Sequence, residues 1–198
     1  MAMMFALLVV ISNADQISLR VRRTIPQSRF KRGLAFVFYN GAAGGLVWVA
    51  AILLTTWLIS SQIARLVPVK SGPSFAGVDW FDATTAYAFA YALTALLIHR
   101  HFFSPPPPPL AGLLAIFLAG AWAMVPSIVL FFFNQLSWKS VEGMQPGNIF
   151  NIFSLHDDAQ RQFHLWFAFG WLVIMIALNA RWFLAQVNNF QPMETTEK

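Results

Sequence analysis

The fold is decided by residues 20–64, RVRRTIPQSRFKRGLAFVFYNGAAGGLVWVAAILLTTWLISSQIA. Six basic residues come first: Arg20, Arg22, Arg23, Arg29, Lys31 and Arg32. The next 32 positions, 33–64, hold no Asp, Glu, Lys or Arg. A helix of about 20 apolar residues crosses a hydrocarbon core of about 30 Å, so this stretch reads as one membrane span with a basic flank. Three further charge-free runs occupy 83–99, 101–138 and 162–180. The pattern predicts four spans at about 35–59, 81–98, 110–133 and 163–184. The third run cannot be split into two helices, because Pro105 to Pro109 fall inside it and proline cannot continue a helix.

Composition agrees. Hydrophobic residues make up 58% of the 198, charged residues 11%, and the mean hydropathy is +0.59. Soluble domains carry about 25% charge, so this chain could not cover a water-facing surface. The absence of cysteine excludes a disulfide scaffold, a thiolate metal site and a cysteine nucleophile. The net charge of +5 is an orientation signal more than a sign of nucleic acid, which is not expected as a partner. Nine of the 13 Lys and Arg flank one side of the predicted spans: the six above, with Arg100, Arg181 and Lys198. Arg65, Lys70, Lys139 and Arg161 flank the other, beside Asp79, Asp82, Glu142, Asp157 and Asp158. The positive-inside rule then places the basic segment and the C-terminus in the cytoplasm. The expected organisation is an apolar stub at 1–11, a basic cytoplasmic segment at 12–34, a four-helix membrane domain at 35–184 and a cytoplasmic tail at 185–198.

Residues 1–11 are apolar with positive charge after them, the reverse of a signal peptide. Two readings stay open: the cytoplasmic end of a helix whose beginning is missing, or an interfacial anchor. The basic segment also has two, an anionic-lipid contact that stops translocation or a docking surface for a cytoplasmic partner. Small residues mark helix seams: Gly41 and Gly45 in the first span, and Ala111, Ala115, Ala119, Ala123 and Ser127 at period four in the third. Ala86, Ala90 and Thr94 share a face of the second, and Asn40 could hydrogen-bond across helices. The seams serve either static packing or sliding. Pro126 should kink or interrupt the third span, as a fixed bend or a hinge.

The loop at 134–162 is long and poorly polar, with Trp138, Met144, Ile149, Phe150, Ile152 and Phe153 around a Pro146-Gly147-Asn148 turn. It reads as amphipathic or re-entrant pieces at the outer surface. Asp157 and Asp158 then favour the N-terminus of the last helix. The tract Pro105–Pro109 is a stiff spacer. Trp57, Trp80, Trp138, Trp166 and Trp182 fall near span ends, as an aromatic belt requires.

No P-loop, HExxH, GxSxG or GxGxxG sequence is present. The four histidines offer no haem pair, because His99 and His101 are two residues apart and face different ways, while His156 and His164 lie at the other end. No cofactor and no catalytic residue is expected, and an intramembrane enzyme or proton-coupled carrier is disfavoured for want of buried acids.

The segments ISLRVRRTIPQSRFKRGLAFVFYNGAAGGLVW (17–48) and GNIFNIFSLHDDAQRQFHLWFAFGWLVIMIALNARWFLAQ (147–186) resemble the membrane half of bacterial ABC-2 type transporter permeases. There, a basic cytoplasmic loop enters a glycine-rich helix, and an outer re-entrant connection precedes the last helix. The resemblance covers the later part of such a permease, with the four spans as its third to sixth. It implies an all-α, multi-pass, oligomeric subunit of the bacterial inner membrane, driven by a separate ATP-binding-cassette ATPase that docks at Arg20 to Arg32. The alternative expectation is a non-transporting scaffold or accessory subunit of a larger membrane complex.

Overall fold

In the computed structural model the chain is all-helical, with no strand among the described residues, which are 2–12, 17–39, 41–66, 77–103, 110–133, 145–155 and 157–192. The helices are α1 (Ala2–Ile11), α2 (Leu19–Thr24), α3 (Arg29–Tyr39), α4 (Gly41–Leu66), α5 (Gly77–Phe102), α6 (Leu110–Phe132) and α7 (Asp158–Asn189), with a 3-10 turn at Asn151–Ser154 before α7. Helices α4 to α7 are long and apolar enough to cross a membrane. Most of their large side chains point outward, among them Leu54, Leu113, Phe117, Ile176 and Leu184. Such surface has no place in water.

Helix α5 is the hub. It packs along α7, and also against α6, α1 and the 3-10 turn. Alanines make this possible: Ala83, Ala86, Ala88, Ala90, Ala92 and Ala95 are all buried, so neighbouring backbones approach closely. The strip on α6 behaves alike at Ala111, Ala115 and Ala119, which are buried, while Ala123 is half-buried.

The first span starts later than the apolar run suggests. Gly41 has φ +28°, which favours glycine, and the helix changes direction there. Residues 35–39 therefore belong to α3. The apolar stub is likewise a helix of ten residues, about 15 Å long at 1.5 Å per residue. It inserts into the bundle, burying Leu7 and Ile11 among α4, α5 and α6. Gly45 lies against the side chain of Val10, and Gly112 against Ser12 and the Leu8 carbonyl, so glycines seat α1 on both neighbours. Pro126 does not interrupt α6, which is helical from Leu110 to Phe132. Asn40, the proline tract, Lys70, Trp138, Lys139, Glu142, Met144 and His156 lie outside the described residues.

A second, smaller core ties the basic segment to the bundle. Phe36 of α3 sits edge-on to Phe183 and Phe190 at ring distances of 6.0 and 5.5 Å. Ile25 and Ala43 complete the cluster. Gly44 presses directly on the Phe36 backbone carbonyl.

These two glycines should behave differently. A β-carbon at position 45 would meet Val10 Cγ1 at 2.6 Å, whereas one at position 44 would meet the Phe36 backbone. Gly45→Ala should cost about 1–3 kcal/mol and be rescued by Val10→Ala. Gly44→Ala should cost as much, and no side-chain trimming of Phe36 should rescue it. Thermal unfolding in mild detergent reads both.

Candidate functional site

Two features stand out, a buried segment and a cleft that runs along the bundle. The first is a re-entrant segment, residues 145–155. Gln145, Asn148, Ile149, Ile152 and Leu155 are buried, so the segment enters the bundle rather than lying on its surface. Its depth can be read along α5. Gly147 bonds to Tyr87 and Tyr91, which lie six and ten residues from Phe81, where the apolar part of α5 begins. At 1.5 Å per residue this is about 9 to 15 Å into the span.

Irregular backbone at that depth must find partners inside the protein, and here it does. Tyr91 Oη donates to the Gly147 carbonyl at 2.6 Å. The Gly147 N–H donates to Tyr87 Oη at 3.0 Å. Trp122 Nε1 donates to the Pro146 carbonyl. Proline needs no acceptor for an N–H it lacks. Asn148 N–H reaches the Gln145 carbonyl at 3.0 Å, and Asn148 Oδ1 accepts from Phe150 N–H at 3.1 Å. Gln145 accepts from Asn148 Nδ2 and donates to Ser127 Oγ, both at 3.0 Å. Gly147 has φ +94°, and a β-carbon there would collide with the Trp122 indole. Trp122 and Ser127 bracket Pro126, so the bend-prone turn of α6 is held from both sides. Trp171 backs the site, with its ring 4.7 Å from Tyr91 and 5.6 Å from Trp122.

Tyr87 also meets His164 Nδ1 at 3.1 Å. Tyr87 Oη accepts from Gly147, and donation of its own hydrogen to His164 Nδ1 corresponds to a neutral His164 protonated on Nε2. That nitrogen is fully buried, with no hydrogen-bond partner among the described residues. No three His, Asp or Glu come together among the described residues.

The second feature is a cleft of about 770 Å³ between α4 on one wall and α5 and α7 on the other. It is apolar over most of its length, lined by Leu46, Leu53, Trp57, Phe89, Leu172 and Phe183 among others. Leu54, Ile176 and Leu184 on its rim are more than half exposed, so it opens sideways. Asp82 and Thr85 mark one end. Toward the basic end lies Asn179, buried, which donates to the carbonyls of Leu93 (3.2 Å) and Met175 (2.8 Å) and accepts from Arg100. The Arg100 guanidinium lies 4.4 Å over the Trp182 ring, a cation–π contact. This cluster crosslinks α5 to α7.

The basic residues stand apart from both features. Arg20, Arg22, Arg23, Arg29 and Lys31 are exposed and Arg32 is half-buried. Asp157, expected to favour the last helix, caps α7 by accepting from Ala159 N–H at 3.2 Å. The pattern singled out the Pro146-Gly147-Asn148 turn but missed its partners. Tyr87 and Tyr91 are one helical turn apart, and His164 and Trp171 are two turns apart. That spacing of hydrogen-bonding aromatics inside spans was the available signal.

Comparison with family models, with curated proteins and with solved structures finds no match. The likeness to ABC-2 permeases thus rests on the sequence pattern alone.

Removing one hydrogen bond should loosen the re-entrant segment without unfolding the bundle. Tyr91→Phe should cost about 1 kcal/mol and raise amide hydrogen exchange at 147–152. Tyr87→Phe should raise it more, because it strands both the Gly147 N–H and His164 Nδ1. Gly147→Ala should be worse than either. In ¹⁵N-histidine spectra of the protein in bicelles, His164 should show an unprotonated Nδ1.

Proposed function

We propose that this chain is the membrane-embedded, permease-like subunit of an ATP-driven exporter of the bacterial inner membrane. It would have no ATPase of its own, and its basic segment and C-terminus would face the cytoplasm. The observation that carries this reading is the seating of α3. One residue, Phe36, touches both walls of the side-open cleft: its carbonyl packs on Gly44 at the start of α4, and its ring packs on Phe183 and Phe190 at the end of α7. A force applied to the basic segment would reach both walls at once. A partner ATPase of the ATP-binding-cassette type, docking on Arg20, Arg22 and Arg23, would supply that force. An apolar, laterally open cleft suits a cargo that arrives from the bilayer.

One observation favours a second reading, a non-transporting accessory subunit. Asn179, Tyr87 and Tyr91, polar groups within the spans, are all engaged in internal hydrogen bonds, which suits a static scaffold.

Affinity purification in mild detergent separates the two. The permease reading expects an ATPase to co-purify and to be lost on changing Arg20, Arg22 and Arg23 together to Ala. It also expects Ala50→Trp, which fills the cleft from an exposed position, to lower substrate-stimulated ATP hydrolysis at least several-fold while the partner stays bound. Retention of every partner by the triple variant would sink the coupling. A reporter fused after Glu194 should be active in the cytoplasm, and a periplasmic signal would overturn the orientation.

A further inference from the structure

The basic segment divides into two helices whose exposed side chains differ in character. Helix α3 has 3.6 residues per turn, so Phe30, Leu34 and Phe38, four apart, share one face. They are 83%, 59% and 67% exposed. Phe36, two residues from Leu34 and so about 200° around the helix, is 8% exposed and faces the bundle. The apolar stripe therefore points away from the core that holds α3. Arg29 and Lys31 lie about 100° to either side of Phe30 and bracket the stripe. Helix α4, which has the composition of a membrane span, begins at Gly41, two residues after the end of α3. Phe38, at the end of the stripe, is thus within one turn of the start of that span. Helix α2 differs. Its exposed residues are Arg20, Arg22, Arg23 and Thr24, and no large exposed apolar side chain lies on it among those described.

From this arrangement we propose that α3 is a lipid-binding element. Phe30, Leu34 and Phe38 insert at the acyl–headgroup boundary of an anionic leaflet, and Arg29 and Lys31 hold the lipid phosphates. Two flanks of opposite-charge attraction around an apolar wedge are what such a helix needs. The occupant is the bilayer itself, since a soluble partner would have to cover three large apolar groups from the membrane's own plane. Helix α2 is left as the water-facing surface. The inference does not depend on whether the chain transports anything.

The chain has no cysteine, so single labelling sites have no background. Leu34→Cys and Arg22→Cys would each be labelled with an environment-sensitive fluorophore. The full-length protein is then reconstituted in vesicles of phosphatidylcholine alone or with 30% phosphatidylglycerol. The label at position 34 should be quenched by a nitroxide placed high on the acyl chain and shielded from aqueous iodide, with at least twofold stronger shielding when phosphatidylglycerol is present. Arg29→Gln with Lys31→Gln should remove that dependence. The label at position 22 should be quenched by iodide in both vesicles. Iodide quenching at position 34 in both would overturn the proposal. So would shielding from both quenchers, which would mean protein covers the stripe, or shielding that ignores lipid charge. Because these substitutions are on exposed positions, unchanged thermal unfolding in detergent verifies that the fold is intact.

Discussion

A peptide group in hydrocarbon must hydrogen-bond within the protein, and the rest of this structure is arranged around one place where that demand is hardest to meet. Helices satisfy their own backbone. Residues 145–155 do so only in part, yet Gly147 sits roughly a third to a half of the way down α5. The Pro146 carbonyl and both backbone groups of Gly147 are met by side chains, Tyr87 and Tyr91 from α5 and Trp122 from α6, while Asn148 Oδ1 accepts from the Phe150 N–H within the segment. Tyr91, which holds the segment, also borders a small gap with Leu7 and Leu8 of α1. The half-length helix and the re-entrant segment thus both pack around the middle of α5.

The coarse fold was legible in the residues because the bilayer leaves so few options. A run of 32 uncharged positions has one physical explanation, and four such runs predict four long helices. Boundaries were less legible. The apolar run at 33–64 conceals a corner at Gly41, since hydropathy is blind to direction and residues 35–39 are as apolar on a surface helix as in a span. The re-entrant character of the long loop was readable from Ile149, Phe150 and Ile152, which water would reject. Its partners were not. Tyr87 and His164 are 77 positions apart, and nothing local in either neighbourhood announces the other. The same holds for Arg100 and Asn179, 79 positions apart, joined across α5 and α7. Long-range polar pairing depends on the parallel register of two helices, which the seams of alanine permit but do not specify.

Small residues act in this protein by position more than by number. Gly44 and Gly45 are adjacent yet serve different neighbours of α4, one admitting the backbone of α3 and the other a side chain of α1. The consequence is that α4 is packed on α1 and α3 and only lightly on α5. The cleft is the space this preference leaves. Its far wall is stiffened by the Arg100, Asn179 and Trp182 cluster, and Phe36 ties the helices of both walls to the basic segment.

The re-entrant segment also constrains how the protein is made. Its hydrogen-bond donors and acceptors belong to α5 and α6, and the core it joins includes α7, which is synthesised after it. Until those three helices are side by side, the peptide groups around Gly147 have no partners except water. The segment can therefore satisfy its peptide groups in hydrocarbon only within the assembled bundle, where Tyr87, Tyr91 and Trp122 supply the donors and acceptors it lacks.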